Sequence, residues 1–175
     1  MKMKLVNTII ETEHLILKPI DYSYANDIFS HFTHEIALYM YPEPSENIEG
    51  VNTFIEMSIS SLEQGNNLQL VCIKKVSKEF IGCAGMHEIG TIAPELGIWI
   101  KKAAHGHGYG LEAISALIKW SRENIDFEYL RYPVDKRNYA SRRIPEWNGG
   151  IIKREFKSIN QRGFELDQVE YWIYK

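Results

Sequence analysis

Three glycines at alternate positions, Gly106, Gly108 and Gly110, lead directly into a segment with helical periodicity. Glycine lets backbone N–H groups approach an anion closely, and a helix N-terminus adds unpaired donors and the positive end of the helix dipole. The stretch is therefore predicted to bind a phosphate group. The following helix is predicted to bury one face, formed by Leu111, Ile114, Leu117, Ile118 and Ser121.

Short apolar segments on either side predict strands at 94–100 and 129–134, which gives one β-loop-α-β unit. A Walker loop is excluded because Gly108-Tyr109-Gly110 stands where Gly-Lys-Ser/Thr is required. A dinucleotide-binding fold agrees poorly with the sequence, because Glu128 opens the next strand instead of closing it. A glycine-rich turn without a ligand remains an alternative for the loop alone.

Composition limits the class of protein. A chain of 175 residues with 45% hydrophobic content is predicted to form a single domain, residues 1–175. Cys72 and Cys83 lie in apolar runs and are expected to be reduced core residues of a cytoplasmic protein. The histidines form no clear ligand pattern, so no metal is expected. No secretory signal or membrane-spanning stretch is predicted, so no membrane partner is expected.

Charge is divided unevenly along the chain. Residues 1–100 carry 13 acidic and 6 basic side chains, whereas residues 101–163 carry 7 acidic and 13 basic ones. The basic part contains the glycine loop, which suits a polyphosphate ligand. The acidic part argues against nucleic-acid binding.

The other patterns predict further elements along the chain. They are a strand at 13–19, a helix at 21–34, a helix from an N-cap at Ser45 to about Gly65, a hairpin of strands at 68–74 and 80–87, a helix at 138–147 and strands near 151–153 and at 169–174. Pro145 is expected to disturb the helix at 138–147, because proline removes a backbone hydrogen bond.

This order of elements, β-α-α-β-β-β-α-β-α-β-β, resembles the GNAT N-acetyltransferases, and most closely their ribosomal-protein serine/alanine N-acetyltransferase branch. The motifs that carry the resemblance are residues 14–19, 80–87, 95–100, 104–110 and 138–146. The glycine loop resembles the acyl-coenzyme A loop of that family, except that His105 stands where the family usually has Arg or Gln. The resemblance implies an α+β fold with α/β/α layers, built on a mixed sheet of about seven strands with about four helices.

The resemblance also implies direct transfer of an acetyl group from acetyl-CoA to a primary amine, without a metal. Glu95 is the candidate general base, acting directly or through a water, although it could equally be a surface carboxylate. Ser141 is the candidate acid toward the leaving thiolate, since Pro145 stands where many members have a tyrosine. The alternative for Ser141 is a small residue that lets the cofactor approach closely.

Cofactor contacts follow from the same resemblance. A backbone N–H of Ile98 or Trp99 is expected to polarise the thioester carbonyl, and carbonyls of this strand, which ends at Ile100, are expected to bind the pantetheine arm. Asn138 is expected to contact the cofactor, to cap a helix, or to do both. The pyrophosphate is expected on the amides of His105, Gly106, His107, Gly108, Tyr109 and Gly110.

The acceptor is predicted from charge. No Lys or Arg occurs between Lys18 and Lys74, an interval that contains eight acidic residues. In the resembling fold this interval walls the acceptor site, so we expect a cationic acceptor such as a polyamine or an aminoglycoside-like molecule. A solvated acidic face is the competing interpretation. The alternative functions are acetylation of a protein N-terminal α-amine, or acyl-CoA sensing without turnover, by a monomer or homodimer.

Overall fold

The computed structural model describes residues 5–175, whose backbone forms a mixed sheet with helices on both faces. The strands are β1 Ile10–Glu11, β2 Leu15–Pro19, β3 Leu68–Lys74, β4 Phe80–His87, β5 Glu95–Ile100, β6 Tyr129–Asp135, β7 Ile151–Ile159 and β8 Glu165–Tyr174. The α-helices are α1 Ala25–His31, α2 Ile48–Gln64, α3 Tyr109–Asn124 and α4 Tyr139–Trp147. This architecture confirms the predicted fold class.

The sheet order within residues 5–175 is β1-β2-β3-β4-β5-β6-β8-β7. All neighbouring strands pair antiparallel except β5 and β6, which are parallel and are connected through α3. Helices α3 and α4 lie on one face, where Gly110 approaches Ile144. Helix α1 lies on the other face with α2, where Phe32 contacts Trp99 of β5 at 5.0 Å between ring centroids.

The two long helices each bury one face, and for α3 it is the face that periodicity predicts. Helix α2 buries Val51, Ile55 and Leu62. Helix α3 buries Ala113, Ile114, Leu117, Ile118 and Ser121, with Leu111 partly buried against the core. Each large apolar side chain removed from water contributes about 1.5–3 kcal/mol before the cost of chain ordering. None of the helices between residues 5 and 175 is long and apolar enough to cross a membrane.

Several predicted boundaries were wrong. Helix α2 is capped by Asn47, whose side chain accepts a hydrogen bond from Gly50 N at 3.0 Å, so Ser45 lies two residues before the true N-cap. Gly65 ends the helix in the left-handed conformation, as expected (φ 68°). Helix α1 ends at His31, before the predicted end at residue 34, because Phe32 leaves helical geometry.

The C-terminal strands are much longer than predicted, and the two-residue strand β1 was not predicted. Strand β7 is an exposed edge strand of mixed polarity, so it lacks the alternation that identifies a half-buried strand. Pairing with β8 over nearly its full length satisfies its backbone instead. Pro145 lies in the last turn of α4, and the helix continues through it to Trp147.

A buried carboxylate joins the ends of β6 and β8. Asp135 is fully buried, and it accepts hydrogen bonds from Arg137 N, Nε and Nη2 at 2.7–2.9 Å and from Asp167 N at 3.1 Å. Burial alone would raise the pKa of Asp135, but these hydrogen bonds bring it below its ordinary value. The carboxylate therefore stabilises the fold in its ionised form.

We predict that Asp135→Ala lowers the free energy of unfolding at pH 7 by about 2 kcal/mol, because it leaves charged and amide donors without their acceptor. The difference from wild type should narrow as the pH falls below about 3.9, the ordinary aspartate pKa, and through the lower pKa of the folded state. Urea unfolding across this pH range measures both effects. The control is Asp126→Ala, at an exposed ion pair with Lys175; equal losses in the two variants would contradict the assignment.

Candidate active site

The edge of β5 that faces β6 is unpaired over most of its length. The two strands share one paired position, Glu95 opposite Arg131, at the start of β5. Beyond it no further β5–β6 pair forms within residues 5–175, and the sheet opens into a gap. Backbone groups along such an edge can hydrogen-bond to an extended ligand as an added strand would.

The alternation of the β4–β5 ladder identifies the groups that face the gap. Lys101 N donates to Ile81 O at 2.8 Å, so odd-numbered residues of β5 exchange their backbone hydrogen bonds with β4. The N–H and C=O of Ile98 are therefore directed into the gap, whereas the N–H of Trp99 is directed toward β4. Of the two amides considered for carbonyl polarisation, the geometry favours Ile98.

A row of free backbone donors lies at the start of α3. Among the described residues, no acceptor is bound by the N–H groups of residues 106–111, whereas His105 N, which was also expected to face the pyrophosphate, donates to Lys102 O at 3.1 Å. Gly106 and Gly108 have φ values of 79° and 76°, and a Cβ on either would meet open space. Glycine is therefore required there by conformation. A turn of this kind at a helix N-terminus can hold the pyrophosphate of acetyl-CoA.

Two histidines fix the shape of this loop. His105 Nε2 donates to the carbonyl of Ile100 at 2.6 Å, and His107 Nδ1 donates to the carbonyl of His105 at 2.8 Å. The His107 ring also stacks on Tyr109, with 5.5 Å between centroids. His105 thus connects the loop to the end of β5 through its side chain.

Gly110 lies where α3, α4 and β5 meet. It belongs to the first turn of α3, and a Cβ there would be 3.4 Å from Ile144 Cδ1 and 3.7 Å from Ile100 Cγ1. Both are ordinary van der Waals distances, so an alanine would also fit, and the start of α3 packs against α4 and β5 at this point. The loop, α4 and the open edge of β5 are thereby held together.

Ser141 forms a partly buried pair of hydroxyl groups with Tyr132, a contact that sequence reasoning missed. Its Oγ lies 2.8 Å from the Tyr132 hydroxyl, and its N–H donates to Asn138 Oδ1 at 3.2 Å, so Asn138 is the N-cap of α4. Burial raises the pKa of Tyr132 to about 12, against the opposing effect of the Ser141 hydrogen bond. Tyr132 lies on the same buried face of β6 as Leu130 and Val134, a pattern that predicts an inward hydroxyl in need of a partner.

Glu95 belongs to a cluster of charges at the closed end of the gap. Its Oε2 lies 3.1 Å from Arg131 Nη1, and the same guanidinium contacts Glu88 Oε2 at 2.5 Å and the buried Glu170 Oε2 at 3.7 Å. Burial raises the pKa of Glu95; Arg131 opposes this shift, and Glu88 and Glu170 add to it. Three carboxylates therefore surround one guanidinium.

His87 is a second residue that sequence reasoning passed over. It lies opposite Glu95 in the β4–β5 ladder, and its Nε2 is 3.2 Å from where a Cβ on Gly85 would be and 3.8 Å from that of Gly97. Burial lowers the pKa of His87, with Glu88 opposing the shift, so the neutral imidazole predominates at pH 7. The signal available in the sequence was a histidine two residues beyond a strand glycine.

The predicted site residues occupy both faces of the sheet. Ile98 faces Gly110 on the side of α3 and α4, which is also the side of Ser141. Glu95 and Trp99 alternate with Ile98 and so face α1 and α2. Trp99 packs against Phe32 and Phe80 as part of the core. Glu95 and Ser141 therefore lie on opposite faces of the sheet. In the part of the chain described, no group of three His, Cys, Asp or Glu side chains could hold a metal ion.

Comparison of the sequence with models of known protein families identifies a match to one family. The family model described as "Acetyltransferase (GNAT) domain" matches residues 14–151, which is most of the chain. No curated protein matches the sequence significantly. The family assignment therefore rests on the domain match and agrees with the open β5 edge and the donor-rich loop.

Solved structures share the fold at low sequence identity. An acetyltransferase from Salmonella typhimurium that modifies the N-terminal serine of a 50S ribosomal subunit protein has a TM-score of 0.82 and 16% identity, over 96% of this chain and 99% of that one. A spermidine N-acetyltransferase from Vibrio cholerae, bound to CoA and spermine, has a TM-score of 0.80 and 17% identity, over 93% of this chain and 96% of that one. A GNAT-family acetyltransferase from Bacillus anthracis has a TM-score of 0.82 and 19% identity, over 95% of this chain and 98% of that one. These likenesses show the shared fold, and with the domain match the conclusion is that the chain belongs to the GNAT family of acetyl-CoA-dependent N-acetyltransferases.

Proposed function

We propose that this protein transfers an acetyl group from acetyl-CoA directly to a primary amine that carries further positive charge. The observation that carries the proposal is the cluster at the closed end of the gap, where Glu88, Glu95 and Glu170 surround Arg131. Arg154 Nη1 adds a second guanidinium 3.6 Å from Glu170. The cluster therefore keeps an excess of negative charge that an ammonium group would neutralise.

The acidic segment between Lys18 and Lys74 supports a cationic acceptor, but less strongly than its lack of Lys and Arg suggested. Glu35 pairs with Lys102 at 2.6 Å, and Glu43 pairs with Arg162 at 3.1 Å, so cations from the basic part of the chain do compensate it in part. The α2 carboxylates that remain lie on the exposed side of the helix. The segment supplies long-range attraction, while the cluster around Arg131 supplies the contact.

Each role has a candidate among the residues that line the gap. When bound, acetyl-CoA supplies an activated acetyl thioester. The amides of residues 106–111 hold its pyrophosphate, and Ile98 N–H polarises the carbonyl that is attacked. Glu95 receives the acceptor ammonium and is the candidate base, directly or through a water. Ser141, hydrogen-bonded to Tyr132, delivers a proton toward the leaving thiolate.

A second acceptor class is the α-amine of a protein N-terminus. The similarity in fold to the Salmonella enzyme, which acts on an N-terminal serine, is the observation in its favour. The fold similarity to the spermidine enzyme favours a polyamine to the same extent. The acidic segment between Lys18 and Lys74 separates the two classes, because its long-range attraction grows with the number of cations on the acceptor. An acyl-CoA sensor without turnover would have no use for Glu95 and Ser141 beside the gap.

We predict that kcat/KM rises from monocationic to dicationic and tricationic amines, and that the preference shrinks as ionic strength rises. Radiolabelled acetyl-CoA would be incubated with simple monoamines, diamines, spermidine, an aminoglycoside and a basic peptide with a free N-terminus, at low and high salt. Equal rates for all charges, or a preference that salt leaves unchanged, would contradict the cationic acceptor. Binding of acetyl-CoA without transfer to any amine would favour the sensor.

We predict that Gly108→Val weakens acetyl-CoA binding by more than tenfold, because a branched side chain in the left-handed conformation disturbs the loop and obstructs the anion. The matched control is Gly163→Val, at the β7–β8 turn, where φ is 81° and a Cβ also meets open space. Strain of roughly 1–2 kcal/mol is expected in both variants. Calorimetry should show the affinity loss in the first variant alone; a wild-type affinity in Gly108→Val would refute the loop assignment.

We predict that Glu95→Gln and Ser141→Ala each lower kcat by about 10²-fold while leaving the affinity for acetyl-CoA nearly unchanged, since both act on proton transfer. Tyr132→Phe should reproduce part of the Ser141→Ala defect, because it removes the hydroxyl that orients Ser141. Steady-state kinetics with the best acceptor, together with cofactor titration, measures both quantities. Full activity in both of the first two variants would show that these roles are assigned to the wrong residues.

A further inference from the structure

The acceptor side of the gap contains a titratable side chain to which no role has been given. His87 lies directly across the ladder from Glu95, and side chains at such positions lie on the same face with about 5 Å between Cβ atoms. Its ring extends over Gly85 and Gly97, which are themselves paired opposite one another. The two glycines leave a shallow floor on the α1–α2 face, with the imidazole above it.

The imidazole has no hydrogen-bond or ion-pair partner among residues 5–175, and its nitrogens are not sealed from solvent. The charged groups near it are Glu88, which follows it in the chain, Glu95 on β5 and, beyond Glu95, Arg131 on β6. Gln69 on β3 adds an uncharged amide at the other side of the glycine floor. A partly buried histidine without a partner, next to the candidate acceptor position, has a lone pair available for a proton.

We propose that His87 accepts the proton that the acceptor ammonium loses, while Glu95 holds that ammonium in place. This rests on the proposed function and divides between two residues a task given there to Glu95 alone. Glu95 is already engaged by Arg131 at 3.1 Å, whereas His87 is free. Burial lowers the pKa of His87, so at neutral pH the ring is unprotonated and ready to act as a base.

The acceptor nitrogen loses two protons during the transfer, and each has a destination. One proton of the ammonium passes to a ring nitrogen of His87, and the neutral amine forms the new C–N bond with the acetyl carbon. The C–S bond breaks, and its electron pair remains on sulfur. The second proton lost by the nitrogen ends on the thiolate, by way of the Ser141 side of the gap, and His87 returns its proton to solvent.

The test is the pH dependence of kcat/KM in His87→Gln relative to wild type, with one acceptor throughout. The variant should be about 10²-fold slower at pH 8. Burial lowers the pKa of His87 below its ordinary value, so the defect should shrink only as the pH falls through that lowered pKa, where His87 of the wild type is protonated and cannot accept a proton. In Glu95→Gln the fall in kcat/KM on the acid side should persist. The control is His34→Gln, at an exposed position beyond α1, which should retain the wild-type profile.

A second measurement removes the ring altogether. In His87→Ala, added imidazole should restore part of the lost rate, since the glycine floor leaves room for it, and the restored rate should follow the concentration of neutral imidazole. A structural role for His87 would predict neither this rescue nor a changed pH profile. Melting temperature and acetyl-CoA affinity establish that each variant is folded.

The outcomes separate the two proposals. If the wild type acetylates amines but His87→Gln shows a defect that does not vary with pH, or if the wild-type profile has no acid-side fall, the role of His87 is overturned and the proposed function stands. Loss of the acid-side fall in Glu95→Gln, with the fall retained in His87→Gln, would make Glu95 the base. If the wild type acetylates no amine, both proposals are overturned.

Discussion

The separation of β5 from β6 is the constraint on which the site depends. A sheet normally satisfies its backbone across every neighbouring pair of strands, yet here one pair, Glu95 and Arg131, is made before the strands part. Helix α3 connects the two strands, and its start packs against α4 where Gly110 lies near Ile144. The Ile98 backbone groups are left without a strand partner and are available to an extended ligand.

Contacts near the end of β6 join distant parts of the chain. The segment between α1 and α2 is hydrogen-bonded to the β7–β8 turn, where Gln161 N donates to Tyr41 O at 3.2 Å and Glu43 N donates to Gln161 Oε1 at 2.9 Å. Arg137, held by Asp135, lies over the Tyr39 ring at 5.2 Å. Two ion pairs, Glu35–Lys102 and Glu43–Arg162, also join the acidic part of the chain to the basic part and so balance some of its charge. Being near the surface, these ion pairs orient the segment more than they stabilise it.

Features set by local sequence could be predicted, and features set by distant contacts could not. The buried faces of α2 and α3, the hairpin of β3 and β4, and the glycine loop follow from periodicity and backbone conformation within a few residues. The N-cap of α2 could not be fixed in this way, because Ser45 and Asn47 both have suitable side chains and the three-dimensional path of the segment selects Asn47. The extent of β7 depends on its pairing with β8, which its own residues do not encode.

The candidate site also contains residues that local sequence identifies and residues that only distant contacts identify. The sequence directs attention to Glu95 and Ser141 because they stand in motif positions, and the structure places them at the gap. Candidate roles for Tyr132 and His87 could not be predicted, because they depend on neighbours that belong to other elements. Tyr132 contacts Ser141 of α4, and His87 faces Glu95 across the β4–β5 ladder. A buried hydroxyl in a strand signals the need for a partner, but not which partner it has.

The charge balance at Arg131 explains why a histidine would be useful beside Glu95. Glu88, Glu95 and Glu170 face the guanidiniums of Arg131 and Arg154, so an acceptor ammonium completes a neutral group. If Glu95 took the proton, Arg131 would lose a charged partner at 3.1 Å in a partly desolvated site, which opposes the transfer. If His87 takes it, every ion pair of the cluster is kept, and the new imidazolium lies beside the carboxylates of Glu88 and Glu95. Glu95 can then remain ionised through the reaction, and the pair across the β4–β5 ladder separates holding the amine from deprotonating it.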